Sequence, residues 1–140
     1  MAITQAITSQ FKQDVLNGIH QPTDVYKIAL YTSSAVLDGT TTAYTATGEV
    51  ANGLGYATLG ATLVGFTVTL SGTTAVLDWT TDPTWSTATF TANGAMIYNS
   101  TRSNKSVMII AFGADKVGGG GTFTVQLPVP DSATGLIRLA

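Results

Sequence analysis

The chain has 140 residues, enough for one hydrophobic core, but only 10% of them are charged, against roughly a quarter in an ordinary soluble domain. Six Lys and Arg against eight Asp and Glu leave a net charge of −2 with the cations dispersed, which argues against a nucleic-acid footprint. Zero cysteines exclude disulfides and thiolate metal sites, and no apolar run nears the ~20 residues of a membrane span.

The first residues lack the basic start and long apolar stretch of a secretory signal, so synthesis in a cytoplasm is expected. Residues 9–17 predict a short helix. Thr8 or Ser9 can cap it, Phe11, Val15, Leu16 and Ile19 recur at helical spacing, and Gly18 suits the left-handed residue that closes it. Together with an arm over 1–8, this makes residues 1–20 an extension of a single domain spanning 1–140. A helix below ~12 residues does not stand alone in water, so its apolar face has to pack on the body or on a neighbour.

From Asp24 the period falls to two, the mark of strands. Tyr26, Ile28 and Leu30 share one face, with Val25, Lys27, Ala29 and Tyr31 on the other. Residues 33–60, rich in Thr, Ser and Gly, read as a loop with a weak strand over 42–50. Val64, Phe66, Val68 and Leu70 then alternate with Gly65, Thr67 and Thr69, and Ser71-Gly72-Thr73-Thr74 has hairpin chemistry. The return strand carries Ala75, Leu77 and Trp79 on one face and Val76 and Asp78 on the other, with Asp78 expected outward and hydrogen-bonded.

Asp82-Pro83 breaks that strand. Residues 87–92 and 95–99 flank Asn93-Gly94, either a hairpin turn or a glycine bulge inside one bent strand. The nearly continuous apolar run 106–112 fits a central strand buried on both faces. Residues 118–121 are all glycine and form a flexible loop. Phe123, Val125 and Leu127 alternate up to Pro128 and Pro130, and 136–139 supply a last strand. Eight or nine short strands with one N-terminal helix predict an all-β fold, an antiparallel β-sandwich or jelly roll. Threonine, about one residue in six, suits it: β-branched for the pleat and polar without charge.

Catalytic chemistry is scarce. His20 is the lone histidine, no Gly-x-Ser-x-Gly elbow accompanies it, and its place after the helix suggests bonding to free carbonyls. Nothing pairs any two of the scattered carboxylates for acid-base work, and Asp82 and Asp131 read as turn residues. The glycine run precedes a strand, so it is no phosphate loop. No catalytic, cofactor-binding or metal-binding residue is assigned, and no enzyme is expected.

Three groups of residues carry a family resemblance. They are the segment from Phe11-Lys12-Gln13-Asp14 to Ile19-His20 with Tyr26-Lys27-Ile28-Ala29-Leu30-Tyr31, the stretch Ala43-Tyr44-Thr45-Ala46-Thr47-Gly48-Glu49-Val50, and the pair Gly94-Ala95-Met96-Ile97-Tyr98-Asn99 and Gly121-Thr122-Phe123-Thr124-Val125. Across nearly its whole length the chain resembles small tailed-phage virion proteins, specifically the capsid cement or decoration proteins of short-tailed phages. That resemblance implies a jelly-roll subunit on the capsid surface of the virion, made in the host cytoplasm. It would clamp neighbouring major capsid proteins, acting as a homodimer on two-fold positions, with no nucleic-acid or membrane partner.

The family supplies no contact motif. On burial grounds the arm residues Ile3 and Ile7, the helix residues Phe11 and Val15, and the post-proline ring of Trp85 are the expected protein contacts. The alternative function is a receptor- or glycan-binding module of a phage tail apparatus, using Trp85 and the 33–60 loop as its platform.

Overall fold

The computed structural model describes residues 2–140; Met1, the first residue of the expected arm, lies outside them. Among the described residues, the chain forms one helix and ten strands. In order these are β1 (Ala6–Ile7), α1 (Ser9–Leu16), β2 (Tyr26–Tyr31), β3 (Ala61–Thr62), β4 (Val64–Ser71), β5 (Thr74–Thr81), β6 (Thr84–Trp85), β7 (Thr91–Asn99), β8 (Lys105–Val117), β9 (Phe123–Thr124) and β10 (Ile137–Leu139). A five-stranded sheet has the order β1-β8-β7-β2-β3, a three-stranded one β10-β5-β4, and β6 pairs with β9. Every named pairing is antiparallel. The fold is an all-β sandwich with a single short helix.

Period-two alternation sorts the side chains into two cores. Tyr26, Ile28 and Leu30 of β2 and Ala95 and Ile97 of β7 join Trp79 and Ile137 of the smaller sheet in the main core. Their neighbours Ala29, Tyr31, Met96 and Tyr98 turn the other way and pack with Ala35, Leu37 and Ile109 in a second core. The large sheet is therefore buried on both faces, which explains the apolar run in β8. Its outer cover is the loop after β2 together with the N-terminal segment. Thr4 N–H donates to Leu37 O at 2.8 Å, and Leu37 N–H to Ala2 O at 3.2 Å.

The weak strand expected over 42–50 does not form. In place of a continuous ladder, isolated bridges join Ala43 to Lys105 and Tyr31 to Glu49. Side chains replace the ladder. The Glu49 carboxylate accepts from the Tyr44 hydroxyl, from the Tyr56 hydroxyl at 2.6 Å and from Leu59 N–H at 2.8 Å. Tyr56 is itself tied back to the sheet, its oxygen accepting from Leu30 N–H at 3.0 Å.

Helix α1 begins and ends as its residues dictate. Thr8 Oγ1 accepts from Phe11 N–H at 3.1 Å, the N-cap bond. Gly18, at φ +68°, closes the helix: its N–H meets Val15 O at 3.1 Å and Ile19 N–H meets Asp14 O at 2.9 Å. The buried stripe centres on Phe11 and Asp14. Leu16, expected on that stripe, lies ~200° around the helix from Asp14 and is 90% exposed.

Three further readings resolve in the structure. Asn93-Gly94 is a bulge inside β7, with the register shifting between Ala92 and Gly94. The strand expected through Leu127 shrinks to β9, because Val125 N–H bonds Pro83 O at 3.0 Å and Leu127 N–H bonds Asp82 Oδ1 at 2.9 Å. Asp78 is buried, not outward. The segment before β10 lies across that face of β5, with Gly135 against Val76. Asp78 Oδ1 accepts from Trp79 N–H at 2.8 Å, and burial pushes its carboxyl above the usual range.

Candidate interaction surface

Four charged side chains, Asp14, Asp24, Arg102 and Lys105, meet with His20 in a polar cluster where α1, the loop after it and the β7–β8 turn come together. Arg102 forks onto Asp24, with Nε to Oδ2 at 2.8 Å and Nη2 to Oδ1 at 3.1 Å. Asn99 Nδ2 donates to Asp24 Oδ2 at 2.9 Å, while its Oδ1 accepts from Thr101 N–H at 3.0 Å. That fixes the amide, so its second hydrogen faces His20 Nδ1 at 3.0 Å. Nδ1 then accepts, and the imidazole proton sits on Nε2.

His20 Nε2 faces Asp14 Oδ2 at 3.5 Å, too long for a good hydrogen bond, and both atoms are buried without another partner. The second Asp14 oxygen accepts from Gln10 Nε2 at 2.9 Å and lies 3.9 Å from Lys105 Nζ. The imidazole packs against Phe11 and Tyr26, at ring separations of 5.0 and 6.1 Å. Burial lowers its pKa despite the pull of Asp14 and Asp24. Asp24 is held down to about 2, chiefly by the Arg102 hydrogen bond. These groups are engaged with one another and clamp α1 to the sheet. His20 bonds side chains where helix carbonyls were expected.

The five expected contact residues do not form a shared surface. Phe11 is 3% exposed and Trp85 7%, both inside the main core. The Trp85 ring lies against Tyr56, Phe90 and Phe123, so the exposed aromatic platform expected for glycan stacking is not there. Ile7 and Val15 are half-buried against the same core, and Ile3 against the second one. Ile3 bridges Leu37, and β1 pairs with Ile109 and Met108, so the described part of the arm is stitched into its own subunit. Short segments with a polar-apolar mix had looked free because their long-range partners are invisible in local periodicity.

Exposed apolar side chains lie elsewhere. On β4, Val64 and Val68 are each 57% exposed and Leu70 75%. They share a face with Phe66, which sits opposite Trp79. Beside them a groove of about 240 Å³ runs between α1 and the small sheet, lined by Val15, His20, Val68, Leu77 and Leu139 among others. The alternation in β4 was legible, but nothing local says that its edge stays open. Among the described residues no group of three or more acidic, His or Cys side chains is placed to hold a metal ion, and no helix is long and apolar enough to cross a membrane.

Compared with known proteins, the chain matches no family model, no curated protein and no solved structure.

Proposed function

We propose that the protein is a structural virion subunit that binds the outside of a phage capsid and cements neighbouring major capsid proteins. The observation that carries the reading is the run of family-like segments, which spans nearly the whole chain. The physical character of the molecule supports it. A cement subunit works by many weak contacts repeated over a lattice, so avidity replaces a single tight site. Sparse charge limits repulsion between crowded copies, and an open apolar strand offers a joint.

Copy number per virion tests this reading. Hundreds of copies per particle, and co-sedimentation of the purified protein with capsids stripped of it, are expected. Absence from particles, or a handful of copies at the tail, would overturn it.

A further inference from the structure

The edge of the small sheet at β4 is built without the usual protections. No charged residue or proline occurs among Val64-Gly65-Phe66-Thr67-Val68-Thr69-Leu70-Ser71. Natural edge strands are normally blunted by lysine, proline or a covering element. Here β5 occupies one side of β4, and β4 ends the order of its sheet.

Its hydrogen-bonding direction follows from the turn. Gly72 and Thr73 form a two-residue connection with Gly72 at φ +62°, closing the Ser71–Thr74 pair. Residues flanking such a turn exchange hydrogen bonds with each other, and the pattern then alternates along the strand. Thr69 and Thr67 therefore bond inward to β5. The amides and carbonyls of Phe66, Val68 and Leu70 point out, along the same face as the exposed Val64, Val68 and Leu70 side chains, while Gly65 at φ +86° bends the strand before Phe66.

We propose that this edge pairs with the same strand of a second copy, antiparallel about a two-fold axis through Thr67. In that register Val64 meets the second copy's Leu70, and Phe66 meets the second copy's Val68. Outward main-chain groups then face outward ones, apolar side chains lie against apolar ones, and Thr67 meets Thr67. A slip of one residue would set apolar side chains against threonines and bring inward-pointing groups to the edge. No like charges are brought together in the correct register. Two three-stranded sheets become one six-stranded sheet.

The area is of the right order. Val64, Val68 and Leu70 alone expose roughly 300 Å² per copy, toward the ~800 Å² per partner of a stable interface, with the eight-residue main-chain edge and the threonine row adding to it. The joint rests on the cement reading only in that both call for a dimer. Its test needs no capsid, so either can fail alone.

The chain has no cysteine, so a single Thr67→Cys substitution puts one thiol pair at the axis. Under mild oxidation T67C is expected to form a disulfide-linked dimer with the circular dichroism of the parent. Thr69→Cys, whose two copies lie ~14 Å apart in this register, is expected to stay uncrosslinked. Sedimentation should give a dimer for the parent and a folded monomer for Val68→Lys. A monomeric parent, equal crosslinking of T67C and T69C, or a V68K protein that remains dimeric would each overturn the proposal.

Discussion

The two large strand pairings of this molecule use the same vocabulary of Val, Ile, Leu, Thr and Ala to opposite ends. In the sheet containing β2, β7 and β8, both faces are covered, and Ile28, Leu30, Ile97 and Tyr98 are fully buried. In the hairpin of β4 and β5, the inner strand is packed while the outer strand leaves Val64, Val68 and Leu70 largely in solvent. Propensity therefore specifies that a segment is a strand, not what it is worth. Worth depends on whether something long-range covers it, here the 33–60 loop and the N-terminal segment for one sheet and, among the described residues, nothing for the β4 edge.

The sharpest way to break that contrast is to cut side chains in the covered sheet. Ile97→Ala leaves a cavity between the sheets where the surroundings cannot collapse fully, and should cost about 3 kcal/mol in urea denaturation. A loss below ~1 kcal/mol would mean that the large sheet is looser than its burial implies. The cover itself is probed by Tyr56→Phe. Removing that hydroxyl strands Leu30 N–H and takes one donor from Glu49, so a loss of about 1–2 kcal/mol is expected.

Acid should act on the clamp beneath α1 in two separate windows. Burial lowers the folded pKa of His20, so the folded state binds the proton less well than the unfolded chain. The sign is then set: the neutral imidazole's contribution is fully present above the unfolded pKa of ~6.5 and is lost as pH falls through the folded value. Asp24 is likewise depressed, to about 2, so its contribution persists to much lower pH and disappears as pH falls from ~4 through about 2. Melting temperature followed from pH 7.5 downward should show both steps. His20→Gln should flatten the first and Asp24→Asn the second; a His20→Gln profile that keeps the upper step would place it in another group.

Much of this architecture was readable from local pattern because strands and caps are local. The hairpin at Gly72, the cap at Thr8 and the buried first part of β8, Ser106 to Ile109, all follow from residues within a turn or a period, although the expected burial over 106–112 stops short of Ile110. What escaped were features set by contacts far apart in sequence. Trp85 follows a proline and looks like a loop ring until Tyr56, Phe90 and Phe123 close over it. Asp78 looks outward until the segment near Gly135 crosses its face. Phe11 and the arm looked uncovered for the same reason, although their own subunit packs against them. An amphipathic segment announces that it will be covered, but not whether its own subunit or another supplies the cover.

The smallest effect gives the most discriminating comparison, because valine and threonine have nearly the same shape and both favour strands. Val68→Thr on β4 should change stability by no more than ~0.5 kcal/mol, since solvent already reaches the side chain and can hydrogen-bond the new hydroxyl. Val107→Thr on β8 makes the same exchange at a fully buried position in the main core, where the hydroxyl gives up water without a partner built for it, and about 2 kcal/mol should be lost. Urea melts of dilute samples isolate the subunit's own stability. Repeating them at high protein concentration adds the linkage between folding and self-association. Under those conditions Val68→Thr should fall behind the parent while Val107→Thr keeps its deficit unchanged. If Val68→Thr costs as much as Val107→Thr even when dilute, then β4 is covered within its own subunit and the contrast between the two sheets is lost.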